Sequence, residues 1–399
     1  MAWRVIADDL SGAAETAASL LALQTLAAAH SAQSGAQTSR LRLSIDDRGG
    51  PAVDVDVTDS DNRRRTAVEA AERMIALVAD VGEDPLLLKY DSLLRGNIGA
   101  ELAVVLRLRP VLFSSAVPAI GRTLRDGVVH VDGVPLHSAG LWDAELTDAP
   151  ADVVAALAPT PAASVPLSTV RSGAALAAAL DAGRDAGAVL VADAETDADL
   201  RLIARAAVAR GYVLAGAAGL AAALSDLVAD APLPALPEPP SRDTLFVLGT
   251  ASTALRTQLN LLERAGVEVL RLDADGAPTA AVPPLGDVAV VVDAPVDPAR
   301  SQQIVTALAD LALRCAGSRN LVLSGGETAR SVLDALGIDR LAPTSQPHTG
   351  AVLSLVDDGR RVITRPGSYG AADSLTRILA EIATSFDAAA RITERKALA

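Results

Sequence analysis

A short apolar run, a turn of small or charged residues and a helical stretch recur along most of this 399-residue chain. The pattern is plainest from 151 to 228. There the apolar runs 163–167, 188–192 and 212–215 alternate with helical stretches at 172–185, 197–210 and 219–228. Alternation of this kind requires a mostly parallel sheet covered on both faces by helices. The same alternation restarts after 244, with strands expected at 244–248, 267–272, 288–292, 321–323, 352–356 and 361–364 and helices between them. The stretch 230–243 carries five prolines and can continue neither element, so it reads as a semi-rigid linker. The expectation is an α/β protein of two domains, each a mostly parallel sheet flanked by helices, with a cleft between them. The first domain would cover 1–230, the linker 231–243 and the second domain 244–399.

Towards the amino terminus, 3–7 reads as a buried strand and 11–29 as an Ala/Leu helix, with strands at 41–45 and 53–57 and an amphipathic helix over 62–81. Asp132-Gly133 marks a hairpin within 128–136. With 50% apolar but only 2% aromatic residues, the core must be built from Ala, Val and Leu.

Charge and composition remove several function classes. A net charge of −14 argues against a nucleic-acid groove or an anionic membrane surface. Any anionic ligand must then be held by local groups. The single Cys315 excludes an intrachain disulfide and a cysteine metal site, and the four histidines show no metal-ligand spacing. No signal-peptide pattern precedes Asp8, and the Ala-rich run 17–29 is too short and too polar to span a bilayer, so the expected location is the cytoplasm.

The most informative stretch is PLLLKYDSLLRGNIGAEL, from Pro85 to Leu102. A buried strand at 86–88 empties into Lys89, Asp91, Ser92, Arg95 and Gly96, and a helix follows. In open α/β sheets the carboxyl end of a strand is where ligands bind. Lys89 is one of only two lysines in the chain. Asp8 and Asp9 stand at another strand end, where two carboxylates suit a general base or a magnesium–water shell, or simple helix capping by Asp9 or Ser11. Gly121 and Arg122 again follow a strand. Arg95 and Arg122 could fork onto a small carboxylate.

Three turns of the second domain share one design: Gly249 to Thr253, Ser324 to Thr328, and Arg365 to Gly370. Each joins a strand to a helix through small residues, which lets backbone N–H groups approach an anion at a helix amino terminus. Neither lysine follows a glycine, so this is no P-loop, and no complete GxGxxG opens a helix. One domain with anion-holding turns and one with carboxylates and arginines suggest phosphoryl transfer.

These segments, in this order, resemble the four-carbon acid sugar kinase family. The matching pieces are Ala7 to Ala13, Lys89-x-Asp91-Ser92-x-x-Arg95-Gly96, Gly121-Arg122-Thr123, Ala215 to Leu220, Gly249 to Ser252, Gly325 to Thr328, and Arg365 to Gly370. The resemblance implies a sugar-binding amino-terminal domain, a nucleotide-binding carboxy-terminal domain, and ATP-dependent phosphorylation of a terminal hydroxyl on a threonate, erythronate or 3-oxo-tetronate type of acid. It implies catalytic roles for Asp9, Lys89 and Asp91, and sugar-acid contacts at Asp8, Ser92, Arg95, Gly121 and Arg122. Nucleotide contacts would fall on Ser252, Gly325, Gly326, Glu327, Thr328, Gly367 and Gly370, with ATP and Mg2+ as cofactors; the metal ligands stay unassigned. Ser11, Leu93 and Thr250 are mild departures from the family pattern, and Arg365 stands where a lysine is usual. The segment 138–147 lacks an acidic-proline stretch common in the family, which bears on substrate identity. A non-catalytic binding protein on the same fold is the alternative, and a Schiff-base role for Lys89 is disfavoured by the neighbouring Asp91. The expected partners are a small sugar acid and ATP, and the sequence leaves oligomeric state open, a homodimer included.

Overall fold

The computed structural model describes residues 3–21, 26–27, 40–45, 55–79, 81–142, 145, 147–225, 240–249, 253–273, 285–292, 301–339, 341–348, 350–367 and 370–383. Ser252, most of the proline-rich stretch, and residues 368–369 lie outside them. The chain divides into two compact units, residues 1–231 and 232–399.

Among the described residues of the first unit, twelve strands occur: β1 (Trp3–Ala7), β2 (Leu26–Ala27), β3 (Arg40–Ile45), β4 (Val55–Asp59), β5 (Leu86–Lys89), β6 (Val111–Ser114), β7 (Arg122–Arg125), β8 (Val128–Val131), β9 (Val134–Pro135), β10 (Ala162–Val165), β11 (Val189–Ala192) and β12 (Val213–Gly216). Its helices are α1 (Leu10–Leu21), α2 (Ala67–Ala79), α3 (Ile98–Leu106), α4 (Val153–Leu157), α5 (Leu167–Val170), α6 (Gly173–Gly183), α7 (Asp197–Val208) and α8 (Ala218–Ser225). The main sheet runs β10-β11-β6-β12-β5-β1-β4-β3-β2. It is parallel from β10 to β4, and β3 and β2 join antiparallel at one edge. Strand β5, three leucines and Lys89, is buried along its whole length between two helical layers.

Register decides where the site can be. Ala7 lies opposite both Asp59 and Lys89, Lys89 opposite Gly216, and Gly216 opposite Ser114. Five parallel strands therefore end on one line, and the loops after β4, β1 and β5 leave side by side. A separate three-stranded sheet, β7-β8-β9, sits beside them through an isolated bridge from Leu124 to Ala194. Both of its turns, Asp126-Gly127 and Asp132-Gly133, have positive φ at each residue, as tight hairpins require.

The second unit contains β13 (Thr244–Leu248), β14 (Glu268–Leu272), β15 (Val288–Val292), β16 (Asn320–Ser324), β17 (Ala342–His348), β18 (Ala351–Leu355) and β19 (Arg361–Arg365), with α9 (Thr253–Arg264), α10 (Ser301–Ala316) and α11 (Gly326–Ala335). Residues 374–383 are also helical. The strand order is β14-β15-β13-β16-β19-β18-β17. The first five are parallel, and β18 and β17 return antiparallel. Leu248 pairs with Ser324, and Ser324 with Arg365, so the turns after β13, β16 and β19 also leave side by side.

Each unit buries its own apolar cluster, the second around Phe246, Leu262, Val322 and Ile363. Cys315 is a buried thiol in α10.

Several elements differ from the sequence expectation, among them the following. Helix α1 closes at Leu21, and Leu26–Ala27 pairs with β3 instead of continuing the helix. Helix α2 begins at Ala67 because Thr66 and Glu69 cap it reciprocally: the Glu69 N–H donates to Thr66 Oγ1 at 3.3 Å and the Thr66 N–H to Glu69 Oε2 at 3.0 Å. Arg122 to Arg125 is a strand, and α11 starts at Gly326, which puts Glu327 and Thr328 in its first turn.

Candidate functional site

In the first unit, the three adjacent loops converge on an alternation of carboxylates and cations. Asp8 is buried at the end of β1, and its backbone N–H donates to Lys89 O at 3.0 Å. Its carboxylate takes a two-pronged contact from Arg63, with Nε to Oδ2 at 2.9 Å and Nη2 to Oδ1 at 2.8 Å. Burial pushes the Asp8 carboxyl upward, and Arg63 works against that shift.

Asp9 caps α1: Oδ1 accepts from the Gly12 N–H at 3.0 Å and also from Arg63 Nη2 at 2.8 Å. Capping and a place in the site are thus both realised by one side chain. No hydrogen bond to a described residue engages its Oδ2.

Lys89 is 5% exposed, and its ammonium donates to Tyr90 O at 3.1 Å. Among the described residues it makes no ion pair, so two of its three N–H groups remain for other acceptors. A Cβ on Gly12 would lie 2.8 Å from Asp9 Oδ1 and 2.9 Å from Lys89 Nζ. Only the missing side chain of Gly12 lets these two groups share one spot.

Asp91 and Arg95 form a closed fork, Nε to Oδ2 at 2.6 Å and Nη2 to Oδ1 at 2.9 Å. The Leu93 N–H adds a bond to Oδ2 at 3.2 Å. Burial raises the Asp91 carboxyl, but Arg95 outweighs it and holds the group far below the carboxylate range. Arg95 is therefore turned onto Asp91 instead of standing open to fork a ligand. Ser92 Oγ accepts from Nη1 of buried Arg122, joining the β5 loop to the hairpin. Gly121 O accepts from the Asp132 N–H at 2.8 Å, so its role in the structure is to support that hairpin beside Arg122.

Three acidic or basic groups of the site escaped sequence reasoning. Arg63 opens the triplet Arg63-Arg64-Arg65, conspicuous in an acidic chain, but the helix expected over 62–81 concealed it. Its turn is pinned by Asn97, whose Nδ2 donates to Asn62 O at 2.9 Å and to Arg65 O at 2.7 Å. Glu15 lies buried in α1; burial raises its carboxyl, Lys89 opposes the shift, and Asp9, Arg122 and Asp91 stand near it. Glu101 is 1% exposed in α3, and burial beside Asp8 pushes it up to about 8. Nothing in a lone buried Glu distinguishes it in sequence.

In the second unit, Gly325 has φ +96 and caps α11, and its N–H donates to Arg365 O at 2.9 Å. Gly326, Glu327 and Thr328 form the first helical turn, whose N–H groups lack intrahelical partners by construction. Buried Thr328 presses on Gly249, where a Cβ would meet Thr328 Oγ1 at 1.9 Å. Gly367 and Gly370 flank the turn after β19. Arg365 is directed inward, with Nη1 donating to Gln258 Oε1 at 3.1 Å and Ser374 Oγ at 2.9 Å.

Against known proteins, residues 3–224 match the family description "Sugar-binding N-terminal domain" and residues 286–375 match "Nucleotide-binding C-terminal domain". The chain is 34% identical to a D-threonate kinase of Cupriavidus necator, over 94% of this chain and 96% of the relative. The chain belongs to the four-carbon acid sugar kinase family. A 3-oxo-tetronate kinase of Methylobacterium radiotolerans is 28% identical over 94% of this chain and 97% of its own length. Crystal structures of a Salmonella typhimurium LT2 protein (TM-score 0.69, 20% identity, 94% and 98% of the two chains) and of a Haemophilus influenzae protein (TM-score 0.61, 18% identity, 96% and 100%) share the fold. Among the described residues, no helix is long and apolar enough to cross a membrane.

Within the family frame, the sugar-binding description covers the loops that carry Asp8, Arg63, Lys89 and Arg122. The nucleotide-binding description covers α11 and the turn after β19.

Proposed function

We propose that this protein transfers the γ-phosphoryl of ATP to the terminal hydroxyl of a four-carbon sugar acid of the threonate, erythronate or 3-oxo-tetronate type. The observation that carries the reading is that Asp9 Oδ1 and Lys89 Nζ both border the space a side chain on Gly12 would fill, at the end of parallel strands in a chain homologous to such kinases.

The hydroxyl oxygen attacks the γ-phosphorus, its bond to the ADP oxygen breaks, and the hydroxyl proton passes to a carboxylate. Asp9 suits that task because its Oδ2 is uncommitted among described residues. Asp91 does not, because Arg95 keeps it ionised and fills both oxygens, so its part is to hold the β5 loop. Lys89 offers its remaining N–H groups to the transferring phosphoryl oxygens, where preorganised charge lowers the barrier. Arg122, steadied by Ser92, would take the sugar acid's carboxylate. In the first-unit site the carboxyls of Asp8, Asp9, Glu15, Asp91 and Glu101 are interleaved with the cations Arg63, Lys89, Arg95 and Arg122. Local compensation of this kind lets an acidic chain admit an anion.

On the nucleotide side, the amino terminus of α11 and the turns after β13 and β19 would hold the phosphates through backbone N–H groups. The carboxylates do not make a magnesium cage, since Asp8 and Asp91 commit both oxygens to arginines, and no cluster of three or more metal-capable side chains occurs among the described residues. Magnesium would arrive on the phosphates of ATP.

Release of ADP with threonate, erythronate and 3-oxo-tetronate, in the presence of magnesium, tests the reading. Acid-dependent ADP release supports it. Tight binding of an acid with no ADP formed would instead mark a binding protein.

A further inference from the structure

Gln258 lies in α9 and is 1% exposed, yet every polar atom of its side chain is engaged. Nε2 donates to Gly370 O at 3.2 Å and to Ala371 O at 3.0 Å, and Oε1 accepts from Arg365 Nη1 at 3.1 Å. These bonds fix the orientation of the amide, because a flipped group would turn donors onto a guanidinium and an oxygen onto two carbonyls. The second N–H of Arg365 Nη1 goes to Ser374 Oγ at 2.9 Å, and Ser374 Oγ meets His348 Nε2 at 2.7 Å. Gly370 has φ +104, and a Cβ there would lie 2.5 Å from Ser374 Oγ. One buried amide thus ties the end of β19, the far side of the following turn and the start of the helix at 374 to α9.

We propose that Gln258 is the positioning residue of the nucleotide turn after β19, keeping its peptide N–H groups aimed at the phosphates. The inference rests on reading that turn as part of the nucleotide site. In a trans peptide the C=O and the next N–H point in opposite directions. Holding the carbonyls of Gly370 and Ala371 against Gln258 therefore turns the N–H groups of residues 371 and 372 the other way. Without the amide, the Gly370–Ala371 peptide can flip and set a carbonyl oxygen against an anion, whereas the Ala371 carbonyl keeps the Ser374 N–H at 3.0 Å. The same network engages Arg365 at the end of β19. A planar guanidinium reaches Gln258 and Ser374 with two N–H groups of one nitrogen.

Two variants of the full-length protein test this. Gln258→Met keeps the volume and removes all three hydrogen bonds; Gln258→Glu keeps an acceptor for Arg365 and removes both donors to the turn. Both should raise KM for ATP on the order of tenfold and weaken ADP binding in parallel, with kcat and the KM of the sugar acid changed less than about threefold. Ser374→Ala, which loosens Arg365 from the other end, should move KM for ATP in the same direction and serves if the Gln258 variants do not fold. A lowered melting temperature with an unchanged KM for ATP would mean that Gln258 only packs, and the proposal fails. If wild-type protein neither binds nor turns over ATP, the nucleotide reading itself falls and the proposal with it.

Discussion

Gly12 shapes the site through the atom it lacks. Any side chain there enters the space between Asp9 Oδ1 and Lys89 Nζ. Gly12→Ala should lower kcat/KM by on the order of 10²-fold, since displacing a reacting group by about 1 Å has that effect, while the melting curve stays cooperative. Retention of full activity would separate Lys89 from the chemistry. Glu101 makes a second test at this scale. A carboxyl whose folded pKa lies above its unfolded value adds stability that is complete below about 4.5 and is lost as pH rises through about 8. Glu101→Gln keeps the shape of the protonated acid and removes the titration. In urea unfolding, the variant's stability relative to wild type should therefore grow between about pH 5 and about pH 8. A difference constant with pH would show that the buried carboxyl does not titrate in this window.

At the scale of elements, the turn between β4 and α2 decides whether Arg63 can reach Asp8 and Asp9. The Asn62 and Arg63 N–H groups tie it to Asp8 O, and the Thr66–Glu69 cap at the start of α2 and the Asn97 amide at the start of α3 hold its far side. Thr66→Ala removes the cap alone and should cost about 1 kcal/mol of stability with catalysis little changed. Asn97→Leu leaves two carbonyls of the Arg63 turn without their donor and should cost about 1–3 kcal/mol. It should also raise KM for the sugar acid, because Arg63 then loses its fixed approach to Asp8. Equal KM effects in the two variants would place the control of Arg63 elsewhere.

For the whole molecule, the separate apolar clusters of the two units imply separable ligand linkage. In calorimetry of the intact protein, threonate should shift the transition of the first unit and ATP that of the second, each by about 2.7 kcal/mol of stability at a hundredfold excess over Kd. A single transition moved equally by either ligand would show that the two cores unfold as one.

Much of this was readable from the chain. The alternation of apolar runs and helical stretches specified parallel sheets, because β-strands buried on both faces leave no other pattern. The polar residues after β1 and β5 and the glycine turns of the second unit stood out as strand-end chemistry for the same reason. The pairings did not. That Arg63 grips Asp8 and that Arg365 turns inward to Gln258 depend on contacts between residues 55 and 107 positions apart, whereas the fork of Arg95 on Asp91 spans only four. Local sequence determined which side chains stand at the ends of the strands, through hydrophobic periodicity and turn chemistry. Only the tertiary structure decided which charge meets which, because register brings Asp59, Ala7 and Lys89 level and thereby sets the neighbours of every loop.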